Sequence, residues 1–160
     1  MLVALNKIAA HQSSPVQSNP TQFISSKCTQ LLDYAATFPN AKLQYTASDM
    51  ILHVDSDAAY LVQDRACSRI AGHYILSSHP PPAPQIPNKI PNAPILVECK
   101  TLRHVVASAA EAEAGGLFHN AQTILHIRML LTALGLSQPP TPLKTDNSTA
   151  NAFVNKSLHQ

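Results

Sequence analysis

The chain has 160 residues, 45% of them hydrophobic and 12% charged, with a formal net charge of +2. That size suits one domain, or one domain with an appended piece, and the apolar content can fill a core. The weak positive charge falls short of a strongly basic nucleic-acid footprint. Three scattered cysteines argue against a disulfide framework or a structural zinc site, and no apolar run approaches the roughly 18 residues of a membrane span.

In chain order, residues 2–11 predict a short helix with Leu2, Leu5, Ile8 and Ala9 on one face. Its start lacks the basic, then long apolar, pattern of a secretory signal, so an intracellular, reducing setting is expected rather than secretion. Residues 12–22, rich in Ser, Asn and Pro, predict a loop. A second helix is expected over 23–38, its stripe made of Phe23, Cys28, Leu31, Leu32, Ala35 and Ala36, ended by Pro39-Asn40. Residues 1–40 therefore read as a helical appendage, and 41–160 as the domain that carries the chemistry.

From Lys42 the period changes to two. Leu43 and Tyr45 predict a strand, Ser48-Asp49 a turn, and Met50 to Val54 an apolar strand with Asp55 at its end. Residues 69–77 predict a third strand, giving an antiparallel ribbon. His79 to Pro94 carries seven prolines, which excludes helix and central strand. The segment reads as a stiff, enlarged hairpin loop, or as a PxxP docking ligand. Ile95 to Cys99 resumes strand character, with 104–107 at its end. A long helix follows over 109–134, capped by Gly135. Thr141 to Thr145 can form a short strand ending at Asp146, and Asn147 or Ser148 can cap a last helix over 149–156.

Of the nine carboxylates, five fall in three short segments: Asp55 and Asp57, Glu111 and Glu113, and Asp146. An Asp closing an apolar strand loses hydration and needs a turn, a basic residue or a metal as partner. Asp57, two residues on, shares its face of the strand. Ser108-x-x-Glu111 is a capping box, in which Glu111 reaches back to the helix start, yet Glu113, Gly115 and Gly116 sit on the same opening turns. Paired glycines in a helix signal close approach of a neighbouring strand. Asp146 suits a turn before a helix, or a ligand presented at a sheet edge. Convergent carboxylates of this kind suit magnesium or manganese.

The ordered set resembles the ribonuclease H domain that follows the reverse transcriptase in copia-type (LTR) retrotransposon polyproteins. The resemblance is carried by Val54-Asp55-Ser56-Asp57-Ala58-Ala59-Tyr60, by residues 64–74, by Ser108-Ala109-Ala110-Glu111-Ala112-Glu113-Ala114, and by residues 143–150. Leu31 to Thr37 is similar to the end of the reverse-transcriptase thumb in that family. Ala110 and Ala114 depart from the family's small hydroxyl and aromatic residues, and the proline-rich loop is enlarged. The family's fourth carboxylate, on a later helix, has no counterpart, so the domain is expected to be incomplete at its C-terminus.

The resemblance implies an α/β fold: a ribonuclease H-like mixed sheet, made of an antiparallel hairpin ribbon plus a parallel strand, flanked by helices. It also implies hydrolysis of the RNA strand of an RNA–DNA hybrid by two magnesium or manganese ions about 4 Å apart. Asp55, Glu111 and Asp146 would be the metal ligands, with Asp57 and Glu113 in lesser roles. Arg65, Arg69, Lys100 and Arg103 are candidate phosphate contacts. The expected partners are the hybrid and the rest of a reverse-transcriptase polyprotein, with no membrane. The competing reading is a catalytically impaired or inert fragment that keeps the fold as a nucleic-acid- or protein-binding module. An integrase of the same superfold is disfavoured by the hairpin-then-helix order.

Overall fold

The computed structural model describes residues 22–63, 66–78 and 92–156, together with 5, 8 and 9. The chain divides into two units, Met1–Leu43 and Gln44–Gln160. In the first, helix α1 spans Gln22–Thr37. Its last turn is tied by Phe38 N–H donating to Tyr34 O at 3.3 Å, and Pro39 then stops the helix. Of the helix predicted over 2–11, only Leu5, Ile8 and Ala9 are described, and they are helical. The loop over 12–21 and the proline-rich segment over 79–91 lie outside the described residues.

The second unit is α/β. Strands β1 (Ile51–Gln63), β2 (Cys67–Ser77), β3 (Pro94–Thr101) and β4 (Leu143–Lys144) form an open mixed sheet in the order β3-β2-β1-β4. β1–β2 and β2–β3 are antiparallel, and β1–β4 is the parallel pair. Helix α2 (Ala109–Ala133) packs on the sheet, and helix α3 (Ser148–Lys156) follows β4. None of the described helices is long and apolar enough to cross a membrane.

Alternation along β1 puts Leu52 and Val54 on one face, where they meet Tyr74 and Leu76 of β2 and Ile124 and Leu131 of α2. Helix α2 ends in a Schellman motif. Gly135, at φ +83°, donates its N–H to Thr132 O at 3.0 Å, and Leu136 donates to Leu131 O at 2.9 Å. The loop beyond is pinned by Arg128, which donates to the Pro139 and Gln138 carbonyls and to Thr141 Oγ1. Gln138 then pairs with β1 through its side chain: Leu52 N–H donates to its Oε1 at 3.1 Å, and its Nε2 donates to Met50 O at 2.9 Å. A side-chain amide thus stands in for a strand residue and sets the register in which β4 meets β1.

Several elements differ from expectation. Leu43 and Tyr45 are exposed and in no strand. Gln44 and Thr46 are held instead by Ala93 N–H on Gln44 O at 2.9 Å and by the side chain of Asn92 on Thr46. β1 does not stop at Asp55; β2 pairs with it from Ile51 opposite Ser77 to Ala59 opposite Arg69, which carries the strand past both acids. β4 is two residues long, and residues 104–107 are outside any strand.

Tyr74 is fully buried, and its hydroxyl donates to Asn120 Oδ1 at 2.9 Å. Burial, with the nearby charge of Glu98, pushes the phenol up to about 12. An unfolded tyrosine ionises near pH 10. The folded state therefore holds this proton more tightly, and the resulting support for folding is complete below pH 10 and lost as pH rises through 12. Tyr74→Phe is expected to lose less stability than wild type between pH 10 and 12, as read from urea midpoints. Equal slopes would contradict this.

Candidate functional site

Three backbone devices bring acids together at the β1–β4 end of the sheet. The first is parallel register. Val54 lies opposite Leu143 and Asp55 opposite Lys144. Carried two residues further on both chains, that register sets Asp57 level with Asp146, just beyond the end of β4. The second is the opening of α2. Ser108 is its N-cap: Glu111 N–H donates to Ser108 Oγ at 3.1 Å, and Ala107 N–H donates to the Glu111 carboxylate at 2.7 Å. Glu111 is thereby turned back over the helix end, exposed to solvent.

The third device is helical rotation. Two residues advance a helix by about 200°, so Glu113 faces the sheet where Glu111 faces away. Glu113 is 4% exposed; its Oε1 accepts from Ala58 N–H at 3.1 Å and its Oε2 from Thr145 Oγ1 at 3.3 Å. Asn147 caps α3, its Oδ1 accepting from Ala150 N–H at 2.9 Å, and so fixes the turn that carries Asp146.

Oxygens of Asp57, Glu113 and Asp146 all lie within 4.8 Å of one another. Of the residues predicted as ligands, Asp146 is in this group. Asp55 sits mid-strand, exposed, between His73 and Lys144 in the ladder, and Glu111 is spent on the cap. Neither of those two belongs to the group of three. Their neighbours two positions on, Asp57 and Glu113, are the acids gathered with Asp146. The sequence held a usable signal in the capping box, because a glutamate committed to the cap leaves the next sheet-facing acid, Glu113, for the site.

Burial raises the pKa of Glu113, and the charges of Asp57 and Asp146 raise it further; hydrogen bonds from Ala58 and Thr145 oppose them. Among the described residues no lysine or arginine pairs with any of the three acids. Three gathered carboxylates without a cation repel one another. They could hold a divalent ion, which would relieve that repulsion. Hard, all-oxygen ligation suits magnesium, manganese or calcium, and the spacing asks only small side-chain adjustments to close on an ion.

Of the basic residues expected on phosphate, Arg69 is 8% exposed and donates to Gln63 Oε1 and Cys99 Sγ. Lys100 pairs with Glu98 at 2.6 Å, Arg103 is exposed, and Arg65 lies outside the described residues. The Gly115–Gly116 pair lies where α2 crosses the sheet. A Cβ at 115 would come within 3.2 Å of Leu102, and one at 116 would touch Ile70 and Ser56 at 3.4 Å. Comparison with protein-family models, with curated proteins and with solved structures finds no match.

Proposed function

We propose that the second unit is a ribonuclease H-like domain and that it hydrolyses the RNA strand of RNA–DNA hybrids with magnesium or manganese. The observation that carries this reading is the convergence of Asp57, Glu113 and Asp146 from a central strand, a helix start and the end of a parallel neighbour. The sequence order of those segments, with their resemblance to the copia-type retrotransposon domain, supports the nuclease class. In that resemblance the ligand roles first given to Asp55 and Glu111 pass to Asp57 and Glu113.

Asp57, Glu113 and Asp146 would hold the divalent ion, which would supply Lewis-acid activation of water and charge neutralisation at the scissile phosphate. The chain's own groups do the rest. Glu113 is fixed at the buried floor by Ala58 N–H and Thr145 O–H, one on each carboxylate oxygen, and each oxygen keeps a second lone pair for an ion. Asp57 and Asp146 are exposed and face the side from which a hybrid would approach. Selection of RNA would rest on contacts to the 2′-hydroxyls across the minor groove. Within a longer reverse-transcriptase polyprotein, the domain would remove the RNA template after copying.

The test is cleavage of an end-labelled RNA–DNA hybrid by the full chain. Cleavage confined to the RNA strand, dependent on magnesium or manganese and stopped by EDTA, is the expected result. Absence of cleavage with either ion at stoichiometric enzyme would overturn the reading. Ion-dependent hybrid binding without cleavage would instead favour the impaired module. Three ligands suffice for one ion, and that is the observation behind this second reading.

A further inference from the structure

We infer that Asn120 is a positioning residue for the carboxylate site, setting the register at which α2 delivers Glu113 to β1. The inference rests on the proposal that these carboxylates hold a divalent ion. Glu113 and Asn120 are seven residues apart, about two turns, and lie on the same buried stripe of α2. α2 runs antiparallel to β1. Ile124 and Leu131 meet Leu52 and Val54, Asn120 meets Ser56, and Glu113 meets Ala58. Asp57 is therefore bracketed by two points at which the helix grips the strand.

The Asn120 grip is directional and complete. Its Nδ2 donates to Ser56 Oγ at 2.8 Å on β1 and to Ala71 O at 2.9 Å on β2, and its Oδ1 accepts from the Tyr74 hydroxyl at 2.9 Å. Both amide hydrogens and the carbonyl are thus used at a position 2% exposed. The sheet is shaped to admit it, because a Cβ at Gly72 would stand 2.5 Å from Asn120 Oδ1. The network continues to β3, where Glu98 Oε2 lies 3.2 Å from the Tyr74 hydroxyl and accepts from Thr123 Oγ1.

Apolar contacts between Leu52, Val54, Ile124 and Leu131 tolerate small sliding of a helix, since the hydrophobic effect has no direction. A buried amide that must find Ser56, Ala71 and Tyr74 together does not. Polar groups of this kind can specify register where hydrophobic packing alone would not. Here the register decides whether Glu113 reaches the Ala58 N–H and its two partner acids.

Manganese titration of the full chain by calorimetry, well below the melting temperature, tests the inference. Asn120→Leu keeps an apolar filling of similar size and is expected to fold, yet to bind manganese at least fivefold more weakly. Ser56→Ala is expected to weaken binding less, and the double variant to be no worse than Asn120→Leu. A residue that served stability alone would lower the melting temperature and leave affinity unchanged. Manganese affinity of Asn120→Leu within twofold of wild type would overturn the inference. Should Asn120→Leu fail to fold, Ser56→Ala and Tyr74→Phe each remove one bond of the grip, and wild-type affinity in both would overturn it equally. Wild-type protein that binds no manganese would overturn the metal reading and this inference together. Binding by wild type with unaffected variants would overturn this inference alone.

Discussion

Asp57→Asn is expected to weaken magnesium or manganese binding at least tenfold and to remove hybrid cleavage, while Asp55→Asn stays within about threefold of wild type. Tenfold corresponds to about 1.4 kcal/mol. That is modest for the loss of a full charge beside a divalent ion: two unit charges 4 Å apart interact by about 4 kcal/mol at an effective dielectric of 20. Asp57 sits within 4.8 Å of both other acids, whereas Asp55 is exposed and two residues back along an extended strand. Its charge is separated from the site by about 7 Å of strand and screened by solvent. The same contrast applies on the helix. Glu113→Gln should lose binding, while Glu111→Gln should keep it, because a glutamine can still accept from Ala107 N–H. Calorimetric titration of the four variants reads both contrasts. Loss at Asp55 and Glu111 with retention at Asp57 and Glu113 would reverse the assignment.

Leu52→Ala is expected to cost about 2–5 kcal/mol, toward the upper part of that range. Leu52 has no exposed surface and lies at the centre of the cluster formed with Val54, Tyr74, Leu76, Ile124 and Leu131. The cavity cannot readily collapse. β1 is held by β2 along one edge and by Gln138 at the Leu52 N–H on the other, so the backbone around the lost side chain is fixed. Against a typical total of about 5–15 kcal/mol, that is about a quarter or more of the stability. The control is Leu125→Ala on the outer face of α2, 62% exposed, expected within about 0.5 kcal/mol of wild type. Urea unfolding of both variants decides it, and a Leu52→Ala cost below 1 kcal/mol would show that the core is organised differently.

Much of the scaffold was legible because its signals are local. The long helix was readable from apolar spacing, Ser108 and Gly135, and α2 spans Ala109–Ala133 with Ser108 as its N-cap. All three antiparallel strands were readable from their apolar runs, though not the extension of β1 past Asp55, and of the two candidate caps Asn147 and Ser148 the structure uses Asn147. Leu43–Tyr45 forms no strand because alternation alone does not supply a partner. The Asn92 side chain instead bonds the N–H and C=O of the following residue, Thr46, in place of a ladder.

What the sequence determined by itself was the location of the acids: which short segments carry them in an acid-poor chain, and that they border core elements. Which acid of each pair joins the cluster with Asp146 was decided only by tertiary structure. Asp55 and Asp57 are equivalent to any local rule, since both lie on one face of one strand. The parallel register with β4, set by Gln138 in the loop before β4 and by Arg128 of α2, which holds that loop, puts Asp57 level with Asp146. Glu111 and Glu113 differ by about 200° around a helix whose rotation is fixed by Asn120 and the core beneath it. Register and rotation are long-range quantities, set by contacts between residues 50 to 90 positions apart. Spacing along the chain therefore located the acidic segments, and packing selected one oxygen-bearing residue from each.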